Sequence, residues 1–556
     1  MKRILFFLLT VMILGWISCV KDTGNYTYTD VNELIVDFPI LYTRIYLMDT
    51  VVRIEPKVHQ TLLNNESNLS YIWKYSQLTL ADARRQTDIV SSNRYFDLEI
   101  HDDDAQFHHH FWLEITDAST GLTYPFYTTV TVIRPFVNTW TVLHSNGGAA
   151  KLGAIEYLSN GEFFNYPDVF DAFGHQPLTG LPVTLGDANR EQAALPPATY
   201  APVLYNALYL ITSNPNESGV YAPWMKFQSY LPDIFVPQMV FNYSPSYFDV
   251  SKTTSVYRSN SDGTVVINNG RLFQGRMGLK WYEALFASSV TGNANIDKVL
   301  RVGRITIMYD NIEKRFLWYN NYANGSAPNN GGNTTGNFHE EENKAEIVEL
   351  DRPLADPPNP VSLRNVEYHV LHIGVGYKTN PLNYQDIESF AIANGNDAKT
   401  YIYLFPTTRQ IAGSSSSQTV KELKIIDTPS GLNEHSRFAS SEFYNNIAFY
   451  SSENKIYRLD FNTGIAAQIY EHSAGSVIAV MNMAKQEISL SSNQSYDIDA
   501  YGFAALSRSL GVGINRNGEG ELVILHLDEA GSVIQTSVFG GFGNITDICF
   551  LCDILR

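Results

Sequence analysis

The sequence predicts an all-β protein: an N-terminal β-sandwich followed by a C-terminal β-propeller of about seven blades, with six or eight as the neighbouring counts. Three observations carry this. Aromatic residues make up 13% of the chain, with 34 Tyr and 30 Phe, and aromatics favour pleated, half-buried surfaces. Short strand-like runs recur at even spacing over residues 25–135, with polar turns between them. The remaining stretch, 136–556, shows no long amphipathic helical period, yet a strand-and-hairpin unit recurs within it.

Composition narrows the function classes. The 556 residues include 57 acidic and 39 basic side chains, a formal charge of −18. With 44% hydrophobic and only 17% charged residues, a large core is affordable and an intrinsically disordered chain is excluded. An acidic surface without a basic stripe repels phosphate backbones, so no nucleic-acid partner is expected.

The N-terminus comes first in chain order. Lys2 and Arg3 precede an apolar run from Ile4 to Ile17, then Ser18 and Cys19. The run is too short for a stable membrane span and reads as an export signal over residues 1–18. Trp16-Ile17-Ser18-Cys19 resembles a lipobox, although Trp16 stands where Leu is usual. On that reading Cys19 is the acylated first residue of the mature chain, and residues 19–24 form a lipid-anchored tether. The only other cysteines are Cys549 and Cys552. They sit in a terminal apolar run, where a spacing of three places them on opposite strand faces, poorly suited to a disulfide or a redox pair.

Residues 25–135 contain the runs Leu34–Phe38, Val51–Ile54, Leu69–Tyr75, Tyr95–Ile100, Phe111–Asp117 and Tyr127–Val132, which fits a β-sandwich with Trp73 filling its core. Arg134-Pro135 ends the last run and marks the domain boundary. Beyond it, Leu204–Leu210 resembles Phe443–Phe449, 239 positions later, or four steps of about 60. Arg458–Ile465 resembles His526–Val533, with Asp460 and Asp528 separated by 68 positions. Strands joined by recurring Asp-x-x-Gly hairpins read as propeller blades, since a lone four-stranded sheet cannot bury both faces. A pair of β-sandwiches is the competing arrangement, but it would not need the hairpin to recur. The Asn/Gly-rich stretch Asn320–Glu342, a long surface loop that is either disordered or a binding lid, and the serines within Gly413–Gln418, a flexible hairpin tip, interrupt the repeat.

Candidate chemistry is sparse. His101-Asp102-Asp103-Asp104 and His108-His109-His110 are dense in ligand atoms. They span a polar turn and alternate faces on a strand, so whether any metal binds stays unknown. The chain has no Gly-x-Ser-x-Gly elbow, no His-Glu-x-x-His pair and no Gly-rich phosphate loop, so no catalytic residue and no cofactor is assigned. Aromatic segments remain: Tyr221 and Trp224, Tyr247, and Trp281-Tyr282. Flat aromatic faces stack on sugar rings and anchor protein interfaces, which makes these five the candidate ligand-binding residues, with packing between blades as the competing role.

Two segments carry a family resemblance. His110–Gly121 is similar to the closing segment of PKD domains, in which an aromatic-led strand runs into a Thr-Asp turn. Gly24-Asn25-Tyr26-Thr27-Tyr28 behind a lipobox looks like the PKD-like family surface lipoproteins of Bacteroides-type bacteria, and Val20-Lys21-Asp22 looks like their surface-export signal. The resemblance implies a lipid-anchored, outer-membrane, cell-surface protein. It further implies a non-catalytic accessory of a SusC/SusD-like nutrient-uptake system, capturing a glycan or a peptide. A propeller hydrolase or lyase on the same stalk, and a structural partner of the transporter without its own ligand, are the alternatives. If Cys19 carries the lipid, Cys19→Ala abolishes incorporation of radiolabelled palmitate and moves the protein from the membrane to the soluble fraction. Undiminished labelling of that variant would refute the assignment.

Overall fold

In the computed structural model of this chain, the described residues lie between 32 and 551. The stretches 39–41, 45–49, 101–107, 134–138, 193–203, 222–226, 231–234, 237–244, 251–262, 277–280, 321–346, 351–362, 380–386, 408–419 and 485–507, and a few shorter breaks, fall outside them. The elements are strands, with two short helices, Leu80–Arg85 and Val169–Ala172, among the described residues. Two compact units form, Met1–Ile133 and Arg134–Arg556.

In the first unit, apolar and polar residues alternate along Leu69–Ser76 and His108–Asp117, and the pairing preserves that alternation. Trp73 opposes Leu113 and Tyr71 opposes Ile115 in an antiparallel register. This places Tyr71, Trp73, Phe111, Leu113 and Ile115 on one buried face. The sheet order is Tyr42–Arg44, Leu122–Ile133, His108–Asp117, Leu69–Ser76, with the first pair parallel. Two two-stranded sheets, Leu34–Asp37 with Lys57–Gln60 and Thr50–Ile54 with Phe96–Ile100, complete the unit. Trp73 is fully buried, with Phe38, Phe96 and Phe111 each 6.3 Å from it, and its indole N–H donates to the Asn93 carbonyl at 3.0 Å. Asp117 ends its strand as a buried carboxylate. It accepts from the Ser119 hydroxyl (2.6 Å) and from the amides of Asn32 (3.0 Å) and Asn68 (2.7 Å), donors that hold it well below the usual carboxylate range.

Among the described residues the second unit contains seven sheets. Blade 1 combines Thr139–Ser145, Ala150–Tyr157 and Phe163–Tyr166 with the C-terminal strand Asn544–Leu551. Blades 2 to 7 follow in chain order, over residues 182–230, 235–283, 296–349, 369–427, 438–471 and 477–542. Each is a four-stranded antiparallel meander, except that blade 3 gains Phe235–Val236, paired parallel to its strand Trp281–Glu283. The inner strand of blade 2 lies beside those of blades 1 and 3, and the inner strand of blade 7 lies beside those of blades 6 and 1. This is a β-propeller whose first blade is shared by the two ends of the unit.

The recurring hairpin has a physical basis. Asp460 ends the third strand of blade 6, Lys455–Asp460, and Asp528 directly follows the third strand of blade 7, Glu519–Leu527. Asp460 accepts from the backbone N–H groups of Asn462 (2.7 Å) and Thr463 (3.3 Å), and Asp528 from those of Ala530 (2.9 Å) and Ser532 (2.8 Å). The chain then turns back through Gly464 (φ +69°) and Gly531 (φ +77°), a left-handed conformation that glycine adopts at little cost. Leu204–Leu210 lies in the second strand of blade 2. Phe443–Phe449 runs into the second strand of blade 6, Ile447–Ser452, four blades on, but begins four residues before it.

Blade-to-blade packing relies on close approach. Trp140, on the second strand of blade 1, is fully buried and covers Gly511 of blade 7, where a Cβ would fall 2.5 Å from the indole ring. Asp547, on the inner strand of blade 1, binds the neighbouring inner strand. It accepts from the Thr184 hydroxyl at 2.6 Å and the Leu185 N–H at 2.9 Å. Burial pushes its carboxyl above the ordinary 3.8, and these bonds only partly offset that.

Two outcomes follow. Gly511→Ala overpacks the blade 1–blade 7 contact and costs about 1–3 kcal/mol in urea unfolding. Gly540→Ala, with nothing within 4 Å of its added methyl, stays near neutral. Equal effects at both positions would disprove the nested-indole account. For Asp547, a raised folded-state value means that its contribution to stability is fully present below pH 3.8 and lost as pH rises through the folded value. Thermal melts from pH 3 to 7 should therefore shift in favour of Asp547→Asn relative to the wild type as pH rises, and parallel curves would rule this out.

Candidate functional site

The structure places four of the five aromatic candidates. Tyr221 ends a short strand of blade 2 at 4% exposure. Its hydroxyl donates to the Glu217 carbonyl at 2.7 Å, and its ring meets Phe170 edge-on at 5.4 Å. Both ring and hydroxyl are taken up by packing, which leaves no face for a sugar. Trp224 lies outside the described residues, as does Cys19. Tyr247, Trp281 and Tyr282 share the sheet of blade 3. Tyr247 is on the inner strand Pro245–Val250, opposite Ile267. Trp281 and Tyr282 are on the strand Trp281–Glu283, with two strands lying between it and Tyr247. At about 4.8 Å per strand step, the two positions are about 14 Å apart, so one sugar ring cannot touch both.

The histidine run behaves as alternation dictates. His109 is buried against Tyr75, whose hydroxyl lies 2.8 Å from its Nδ1, while His110 turns to the other face and meets the Thr129 hydroxyl at 3.1 Å. Residues 101–107 are outside the described set. Among the described residues no three His, Cys, Asp or Glu side chains gather as metal ligands. Cys549 is buried on the blade 1 inner strand, and Cys552 is outside the described residues.

A cleft unmarked by any sequence motif opens between blades 5 and 6. Tyr377, Glu388 and Phe390 line one side, and Tyr444, Asn446 and Phe461 the other. Phe390 and Phe461 meet edge-on at 4.8 Å and form an apolar floor. The Glu388 carboxylate is held by Lys421 at 2.6 Å, and the Asn446 amide donates to Asn462 at 3.2 Å. Tyr377 is 37% exposed at the rim. Its enclosed space is about 10 Å³, room for about one water and far below the about 300–1,000 Å³ of small-molecule sites, so it is a shallow crevice between blades. Glu388 and Asn446 belong to different blades, and only ring assembly brings them together.

His372 lies deeper in the same interblade wall. It stacks on Phe438 of blade 6 at 5.0 Å and 7°, and burial, with the charge of Lys298 adding to it, lowers its imidazole to about 3. It is therefore neutral at ordinary pH and acts as an aromatic spacer between blades.

Comparison with known proteins bears on the first unit. No curated protein sequence matches the chain. Among solved structures, a quinoprotein alcohol dehydrogenase-like protein from Bacteroides thetaiotaomicron is 13% identical, with 92% of this chain and 97% of that chain covered and a TM-score of 0.42. The Dos1 propeller is 9% identical over 75% of this chain and 89% of that one, with a TM-score of 0.30. Hsv2p from Kluyveromyces lactis is 7% identical over 79% and 94%, with a TM-score of 0.27. Scores this low carry no argument, and the propeller rests on the strand pairing described above. Residues 19–182 match the sequence profile of the PKD-like family, so the family likeness covers the N-terminal unit and the start of the propeller.

Proposed function

We propose that this chain is a lipid-anchored protein of the outer cell surface whose propeller captures a glycan or a peptide. On this reading it is a non-catalytic accessory of a SusC/SusD-like uptake system. The observation that carries the reading is the starting point of the PKD-like match: it begins at Cys19, the residue that a lipoprotein signal peptidase would leave first. The propeller supports it as a platform, because its loops belong to seven separate sheets and can vary without disturbing the core. The strands of blade 3 that carry Tyr247, Trp281 and Tyr282 are the candidate grips of the propeller. Several weak grips on one polymer add up by effective concentration, so capture needs no deep pocket. Holding the polymer at the surface would raise its local concentration for the transporter.

The test is a binding screen of the acyl-free chain against polysaccharides and peptide pools, by affinity electrophoresis and calorimetry, with the same mixtures checked for product release. Saturable binding without turnover is expected. Trp281→Ala and Trp224→Ala should each weaken it about tenfold, equivalent to about 1.4 kcal/mol. Product release would replace capture with a propeller hydrolase or lyase. No binding, together with co-purification of the transporter, would replace it with a structural-partner role.

A further inference from the structure

The first unit has a second sheet face, opposite the one that buries Trp73. Its rungs are fixed by register: His110 opposes Thr129, Trp112 opposes Tyr127, Glu114 opposes Pro125 and Thr116 opposes Thr123. Tyr127 is 63% exposed, far more than a packing residue needs to be. Directly opposed residues on neighbouring strands lie about 5 Å apart at Cβ, so Trp112 and Tyr127 form one continuous aromatic strip. The Glu114 carboxylate beside it is already satisfied, with one oxygen accepting from Lys74 at 2.9 Å and from the Trp112 indole at 3.2 Å.

The charges on this face run against those of the whole protein. The chain carries −18, yet the helix Leu80–Arg85 sets the Arg84 guanidinium 5.3 Å over the Trp112 ring, with Arg85 beside it. Both arginines are exposed, and among the described residues neither forms an ion pair. Face and helix together hold Lys74, Arg84 and Arg85 against Asp82 and Glu114. An exposed aromatic ring next to unpaired guanidinium groups matches one ligand chemistry closely. The apolar face of a sugar ring lies on the aromatic, and its carboxylate or sulfate is taken by the planar fork of arginine.

We propose that this sheet face binds an anionic polysaccharide, with Tyr127 as the stacking residue and Arg84 as the anion-recognising one. The reading adds a contact surface to the capture function above but does not depend on binding by the propeller. It accounts for an unpaired arginine held over an indole on an otherwise acidic molecule.

The experiment titrates the whole acyl-free chain with heparin and with sodium polygalacturonate, using dextran as the uncharged comparison, at low and high salt. Saturable binding of an anionic polymer is expected, at least tenfold tighter than any binding of dextran and weakened by salt. Tyr127→Ala and Arg84→Gln should each weaken it about tenfold while leaving the melting temperature unchanged, since both side chains are exposed. Failure to bind either anionic polymer would overturn the proposal, as would equal affinity in the wild type and both variants. Capture of an uncharged glycan or a peptide that neither substitution alters would also overturn it, while leaving the propeller reading intact.

Discussion

The propeller depends on one pairing, that of Thr139–Ser145 with Asn544–Leu551. These strands come from opposite ends of the unit, and bonds between them and their flanks join residues 399 and 408 positions apart. Every other blade is a local meander. Only this one carries the entropy of closing a very long loop, although that cost grows slowly with length. Closure is therefore reinforced. The Thr141 hydroxyl donates to the Cys549 carbonyl at 3.0 Å, and Trp140 packs on Phe550 at 5.0 Å. His144 is a neutral cross-link: its Nε2–H donates to the Pro167 carbonyl at 2.8 Å and its Nδ1 accepts from the Gly543 N–H at 3.0 Å. Burial holds its imidazole below the ordinary 6.5, consistent with a ring that needs one nitrogen as acceptor.

Ring closure also explains the interblade contacts. Blades splay outwards from the axis, so their inner and middle strands must approach closely while their outer strands stay apart. Where two blades meet, a large side chain on one therefore faces a small one on the other, as Trp140 faces Gly511. A buried polar group left unsatisfied costs more than a hydrogen bond returns, and while Trp140 Nε1 and His372 Nε2 carry that cost, other groups avoid it. Asp547 does so by bonding to Thr184 and Leu185 of the next blade, and Arg315 by reaching Asp310 and Glu349 within blade 4 at 3.1 and 2.9 Å.

What the sequence revealed depended on the range of the interaction that carries the information. Trp73 was legible because strand alternation is local, and its neighbours read the same way. The Asp460 and Asp528 hairpins were legible because a carboxylate capping its own turn needs only four or five residues. The blade count of about seven rested on the step of about 60 between Leu204–Leu210 and Phe443–Phe449. By contrast, Tyr221 read as a loop aromatic but lies in the core, because the helix Val169–Ala172 brings Phe170 against it from another part of the chain. The crevice residues Glu388 and Asn446, and the carboxyl of Asp547, had no signal at all: each is defined by a neighbour in another blade.

The two units therefore call for different kinds of functional argument. In the propeller, the core residues that periodicity reveals are consumed by burial, so the capture proposed for it would fall to surface positions that periodicity does not mark. In the N-terminal unit the same alternation that buries Trp73, Phe111 and Leu113 necessarily turns Trp112, Glu114 and Tyr127 outwards. A sheet with one face in the core has no physical requirement for an exposed tyrosine 63% accessible to solvent, nor for an unpaired arginine above a tryptophan, on its other face. Side chains that stability does not require are where function is most economically sought, and here the strand register alone identifies them.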